Sequence, residues 1–323
     1  MPVSEALCSF VERARRELLM VAPFMRAWVI AELLRRCPTD VRIIAVTRWR
    51  PEEILQGVSD LEVADVLAAR GNARLLLRAD LHGKLYEVDG QAIVTSANLT
   101  GKALGWTAQP NLELHVVVPA STPEVAEFKQ ILFAGAVEAD EQRRADVQAA
   151  VDALKVAGWS PPPASKQATR LRAVEGAESI VDLAHWLPLC HAPNRLYRAY
   201  TGDTRVMSGP NFEDAQRDLG ALGIPPGLKQ GAFAALVASS LSQMPVTKAV
   251  DEFVQAGPRH IREMMSLVER FIEPGGPIED TKGAWDTLKK WLLTFFPDRY
   301  HVSLTDEGEC FQIARVVGAW SSR

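Results

Sequence analysis

One stretch of the 323-residue chain gathers side chains that could do nucleophilic chemistry at close spacing: Leu81-His82-Gly83-Lys84-Leu85-Tyr86-Glu87-Val88-Asp89-Gly90, followed by Ile93-Val94-Thr95-Ser96-Ala97-Asn98-Leu99-Thr100. On a strand, alternate side chains share a face, so His82 and Lys84 project together and Gly83 leaves room between them. An imidazole and an ammonium then meet the same ligand. Asp89-Gly90 supplies the positive φ angles of a tight hairpin, and the returning strand carries Ser96 and Asn98 onto one face near His82. A potential nucleophile among ammonium, hydroxyl and carboxamide donors is a cluster suited to a phosphate group.

These residues resemble the signature of the phospholipase D superfamily, His-x-Lys, four residues, Asp, then Gly-Ser-x-Asn. His82, Lys84 and Asp89 match in type and spacing. Ser96 and Asn98 match the second half, with Thr95 in place of the glycine and an interval from Asp89 shorter by one residue than the commonest form. Asn111-Leu112-Glu113 resembles the Asn-x-Glu strand found downstream in that superfamily. The resemblance extends in element order over roughly Glu5 to Ala157. It implies a metal-independent phosphodiesterase, without cofactor, working through a covalent phosphohistidine. His82 attacks phosphorus, Glu113 fixes its tautomer, and Lys84 with Asn98 holds the non-bridging oxygens. Ser96 and Asp89 are supporting residues. For Asp89, pinning the turn or pairing at a strand end stands level with any direct part in catalysis.

The scheme also needs a second histidine to protonate the leaving oxygen. The chain has six histidines, and His115, His185, His191, His260 and His301 each lack a lysine two positions on. A single motif implies a homodimer that brings His82 of each subunit to a two-fold axis. One imidazole is then the nucleophile, while its mate serves as general acid and later activates water.

Hydrophobic spacing supplies the elements that hold these residues. Helical spacing covers Ser4–Arg16, Ala27–Arg36 and Asp60–Arg70, and strand-like apolar runs cover Glu17–Phe24, Val41–Val46 and Ala73–Leu77. Short strands at Lys84–Val88 and Gln91–Thr95 flank Asp89-Gly90, a further strand covers Leu112–Val118, and one long helical pattern runs from Pro123 to Ala157. The alternation predicts an α/β phospholipase-D-like catalytic domain, a mixed sheet flanked by helices, over residues 1–159. The prolines at 161, 162 and 163 mark a linker over 160–166. Residues 167–323 form a mainly α-helical recognition or partner-binding domain, with helices at Ile180–Leu187, Asn211–Leu222, Leu228–Leu241, Val246–Gln255, Pro258–Ile272 and Thr281–Phe296. Its Trp186, Trp285 and Trp291 fall at core positions. The tail, Tyr300–Val317, hints at β structure or a terminal helix, and Leu304-Thr305-Asp306-Glu307-Gly308 resembles a turn of winged-helix domains.

With 36 basic and 40 acidic side chains, the chain carries no general cationic coat, so an anionic ligand must meet a local cluster. Arg48-Trp49-Arg50 is a candidate substrate-binding cluster, able to hold a nucleic-acid backbone or stack a base; a solvated, salt-bridged loop is the equal alternative. Lys102 and Trp106 either line the same cleft or cover a helix starting at Thr100. Four scattered cysteines indicate neither a zinc site nor a disulfide framework. The N-terminus reads as an amphipathic helix rather than a signal peptide, and no apolar run reaches the ~20 residues of a bilayer span. A cytoplasmic protein with no membrane partner is expected.

The function expected is a nuclease, with DNA the first substrate, in bacterial restriction or antiphage defence alongside a helicase or other defence protein. Two alternatives stay open: a phosphodiesterase on lipid or nucleotide substrates, and a silent subunit that a partner activates.

Overall fold

The computed structural model describes residues 2–161, 182–203, 209–278, 280–305 and 308–314. The chain divides into two compact units, Met1–Pro161 and Pro162–Arg323. Residues 162–166 of the expected linker lie outside the described residues.

The first unit runs α1 (Val3–Glu12), β1 (Glu17–Val21), α2 (Ala27–Arg36), β2 (Arg42–Thr47), α3 (Pro51–Leu55), α4 (Val63–Ala68), β3 (Ala73–Leu77), β4 (Leu85–Val88), β5 (Gln91–Thr95), β6 (His115–Pro119), α5 (Pro123–Ala134), β7 (Val137–Glu138) and α6 (Glu141–Ala157). Its strands form a seven-stranded mixed sheet in the order β6-β5-β4-β1-β2-β3-β7. Side chains of β1 alternate between two cores. Leu18 and Met20 pack with apolar residues of α1, α2, α4 and α6, whereas Leu19 and Val21 pack with Val125 and Leu132 of α5. Helices therefore cover both faces, as the Ile- and Val-rich β2 requires.

Topology gathers several connecting segments at one end of this sheet. β2 lies parallel on one side of β1, and β4 lies antiparallel on the other. The connections leaving β1 and β2 lead to α2 and α4 on one face of the sheet, and the carboxyl ends of both strands, where ligands of α/β sheets commonly bind, lie at that end.

The structure corrects several expected elements. The helical pattern from Pro123 to Ala157 is two helices with an edge strand between them, because Val137 and Glu138 pair with Leu77 and Leu76 of β3. The break falls at Gly135, where a Cβ would lie 1.5 Å from Nη1 of the buried Arg78. Residues 112–114 precede β6 instead of opening it, residues 100–105 form turns rather than a helix, and α3 is an addition started by Pro51 at its first turn.

Asp89 takes φ 47° and Gly90 φ 92° in the expected turn. Its carboxylate accepts the backbone N–H groups of Arg15 at 2.7 Å, Arg16 at 3.0 Å and Glu17 at 3.1 Å, and so pins the α1–β1 connection to the hairpin. Partial burial works against the charge, but these three donors hold the carboxyl below its ordinary pKa.

In the second unit a 3₁₀ turn at Pro193–Arg195 leads into α7 (Leu196–Thr201), α8 (Pro210–Ala221), α9 (Gln230–Ser242) and α10 (Pro245–Gln255). There follow the short strand β8 (Arg259–His260), α11 (Ile261–Glu269), α12 (Thr281–Phe295) and a hairpin of β9 (Tyr300–Thr305) and β10 (Gly308–Ile313). The three strands lie in the order β8-β10-β9. Trp285 and Trp291 are fully buried and Trp186 nearly so, as core residues. The helix expected over Ile180–Leu187 is absent from 182–187, where the Asp182 carboxylate accepts the Ala184 N–H at 2.9 Å in a turn; Ile180 and Val181 lie outside the described residues. The hairpin occupies the tail through Ile313, and residues 315–317 lie outside the described part.

Asp89→Ala is expected to lower the unfolding free energy by about 1–3 kcal/mol in urea titrations, with Asp89→Asn intermediate. Because the folded carboxyl has the lower pKa, the difference is full above the ordinary carboxylate range and shrinks as pH falls through the folded value. A pH-independent difference would contradict the assignment.

Candidate active site

His82 and Lys84 sit at this end of the sheet, but not within a strand as expected. β4 starts at Leu85, whose partner Val21 is the last residue of β1, so on that side no strand continues to pair with residues 82–84. On the other side Thr95 still donates its N–H to the Lys84 carbonyl at 3.3 Å. Three contacts hold this extended segment. Arg48, just beyond β2, donates from Nη1 to the Leu81 carbonyl at 2.8 Å. The Lys84 ammonium donates to the His82 carbonyl at 2.8 Å. At Gly83 a Cβ would fall 2.8 Å from Cζ of Phe128, so the room left by the glycine is taken by a ring from α5.

Arg48 and Arg50 act first as struts. Arg48 is paired with Glu53 at 2.5 Å, its side chain is 11% exposed, and its guanidinium lies 5.3 Å from the centroid of the Phe24 ring. Arg50 donates from Nη2 to the Ala79 carbonyl at 3.3 Å. Trp49 corrects the sequence expectation: it is 1% exposed within the main core and offers no face to a base. Beyond the end of β2 the Trp49 ring turns into the core while Arg48 and Arg50 bond carbonyls of the segment before β4.

At the same end of the sheet, Asn98 accepts the Phe24 N–H on Oδ1 at 3.3 Å. Its Nδ2 has no protein partner among the described residues and remains available to an oxygen ligand. Glu113 does not meet His82 as the resemblance implies. It accepts from the Ser96 hydroxyl and, at 3.1 Å, from Nδ2 of Asn111, while Ser96 Oγ accepts the Leu114 N–H at 3.0 Å. Ser96, Asn111 and Glu113 thus form one braced unit at the start of β6. Lys102 is exposed, and its carbonyl accepts the Asn111 N–H at 3.0 Å. Asp89 lies at the far end of β4 from His82. Sequence reasoning missed Phe24, Glu53 and Phe128, which carry no motif and act by packing or pairing with residues that do.

The electrostatics follow from this gathering of cations. The positive charge of Lys84 lowers the His82 pKa below the usual imidazole value, with burial and Arg48 acting in the same direction. Burial lowers the Lys84 pKa, Arg48 adds to that, and Glu113 opposes it. The His82 imidazole is exposed, carries no hydrogen bond among the described residues, and favours its neutral, nucleophilic form. Near it Lys84 and Asn98 carry donors, while Arg48, bonded to Glu53 and the Leu81 carbonyl, contributes charge. Chemically this is an uncharged, exposed imidazole held among cationic side chains.

No family model matches the chain, and no curated protein matches it. Among solved structures, NucT from Helicobacter pylori is similar over 42% of this chain and 89% of its own, at 14% identity and a TM-score of 0.34. TrmBL2, an archaeal chromatin protein, is similar over 40% of this chain and 46% of its own, at 16% identity and a TM-score of 0.27. Phosphatidylserine synthase from Haemophilus influenzae Rd KW20 is similar over 47% of this chain and 41% of its own, at 11% identity and a TM-score of 0.35.

An NMR titration of labelled His82 is expected to give a midpoint below the ordinary ~6.5 of imidazole, and Lys84→Met to move it upward. A midpoint that Lys84→Met leaves in place would show that the ammonium does not set the charge state of His82.

Proposed function

We propose that this chain is a metal-independent phosphodiesterase of the phospholipase D type acting on nucleic acid, with DNA as the first substrate. The observation that carries the reading is the exposed His82 imidazole, biased to its neutral form by Lys84 and Arg48 at the carboxyl ends of β1 and β2, with the Asn98 amide at the same end of the sheet. An imidazole nitrogen attacks phosphorus, forming a P–N bond as the P–O bond to the leaving group breaks. Lys84 and Asn98 stabilise the charge growing on the non-bridging oxygens. The leaving oxygen takes its proton from His82 of a second copy, which enters the step protonated and leaves it neutral. That imidazole then removes a proton from water, which attacks phosphorus and releases His82.

The case for a second copy rests on the single motif and on an apolar surface beside the site. Leu112 and Leu114 flank Glu113 and are 101% and 74% exposed, and Val116 and Val117 of the edge strand β6 are 50% and 54% exposed. Exposed apolar side chains on a strand with an open edge are an interaction surface, and here they adjoin the half-site that needs completion. In the second unit, the order helix, short strand, helix, helix, hairpin, with β8 paired to β10, supports a winged-helix reading and a part in binding DNA or a partner protein. A place in restriction or antiphage defence, with a helicase or other partner, belongs to the same proposal.

Wild type and His82→Ala incubated in EDTA with single- and double-stranded DNA, RNA and phosphatidylcholine vesicles test the activity. Wild type is expected to cleave DNA, and the variant to be slower by on the order of 10³-fold or more. Equal cleavage by the variant would remove the mechanism, and cleavage of lipid alone would remove the nucleic-acid assignment. For assembly, the Val116→Lys, Val117→Lys double variant is expected to sediment as an inactive monomer where wild type is a dimer. An active monomer would refute the shared site.

A further inference from the structure

Beside the proposed site lies a recess that the reaction does not use. Trp28, Glu32 and Arg35 recur at helical spacing on one face of α2, while Val29, Ile30, Leu33 and Leu34 turn to the core. Trp106 leans on Trp28, with ring centroids 5.7 Å apart and planes tilted by 47°. The two rings, Ala31, Glu32, Arg35 and Arg36 line a cleft of about 590 Å³. Trp28 is 46% exposed, so the core gains little from it. The fold makes room for it all the same: a Cβ on Gly101 would fall 2.6 Å from Cζ2 of Trp28.

The Trp28–Trp106 end of this cleft lies at the same end of the sheet as His82. Leu99 donates its N–H to the Phe24 carbonyl at 3.1 Å and accepts the Arg26 N–H at 2.9 Å, which fixes the residue after Asn98 against the start of α2. Gly101, under the Trp28 ring, is three residues from Asn98 and thus within about 11 Å along the chain. Arg35 lies a further ~10 Å along the helix axis from Trp28.

We infer that the Trp28–Trp106 cleft is a stacking subsite for an unpaired nucleobase of the strand whose phosphate meets His82, which makes single-stranded nucleic acid the substrate class. The inference rests on the phosphodiesterase reading above. Indole faces stack on any base, and a base held inside a duplex cannot reach Trp28. The charges agree with a polyanion. Arg35 and Arg36 are paired with Glu32, and Arg36 also with Glu12, but the Arg35 side chain remains 69% exposed, and the exposed Lys102 adds a further cation next to Gly101. A quaternary ammonium, the other ligand that paired aromatic rings attract, would meet three cations against two carboxylates.

The test uses the full chain carrying His82→Ala, so that nothing is cleaved, and measures fluorescence anisotropy with a labelled single-stranded oligonucleotide and its duplex. The single strand is expected to bind more tightly and to quench indole fluorescence. Trp28→Ala should weaken that binding by about 5- to 100-fold, leave duplex binding unchanged, and be largely rescued by Trp28→Phe. Thermal melting checks that each variant is folded. An oligonucleotide series with a single abasic position, needing no further variant, should show the loss at one register. Single-strand binding unchanged by Trp28→Ala, or equal losses for both substrates, would overturn the subsite while leaving the nuclease reading in place. No binding of either nucleic acid by the parent protein would overturn that reading and the subsite with it.

Discussion

The pairing of β1 decides the rest of the first unit. With β2 parallel on one side and β4 antiparallel on the other, the chain leaving β1 must turn away from the sheet just where β4 begins. That single reversal brings four separate stretches to one edge: Phe24 after β1, Arg48 after β2, His82 to Lys84 before β4, and Ser96 to Asn98 after β5. The hydrogen bonds between them join these stretches to one another, from Arg48 to the Leu81 carbonyl and from the Phe24 N–H to Asn98. Burial of Leu18, Leu19, Met20 and Val21 on both faces secures the strand itself.

Placing cations together at this edge has a chemical consequence. Each of Lys84 and Arg48 disfavours protonation of the nearby imidazole, and Arg48 also weighs on Lys84. Pairing with Glu53 offsets part of the charge of Arg48, while Ser96 and Asn111 fix the carboxylate of Glu113. In the proposed reaction an anionic phosphodiester would meet these cations while His82 is already neutral.

Much of this organisation was legible in the residues. The Asp89-Gly90 turn, the strands at Ala73–Leu77 and Gln91–Thr95, and the helices around Ala27–Arg36 and Thr281–Phe295 follow from local chemistry that packing does not override. The division of Pro123–Ala157 was not legible, because Val137 and Glu138 are set by the open edge of β3 and Gly135 by Arg78, both distant in sequence. The motif residues His82, Lys84 and Asn98 were readable in the sequence, but the partners of each in the fold were not. Glu113 turns to Ser96 rather than to His82, Trp49 goes to the core, and Asp89 holds backbone at the far end of the hairpin. Spacing shows which residues share a face, whereas the partner across that face depends on where the next element ends.

The central claim is that His82 carries the phosphoryl group. Its most direct test is mass spectrometry of the protein mixed with DNA in EDTA and quenched in alkaline detergent, which preserves a P–N bond. The account predicts a nucleotide fragment covalently attached to the peptide containing His82, present during turnover and gone once substrate is exhausted. Cleavage that proceeds with no adduct at any time, or with an adduct on another residue, would contradict it.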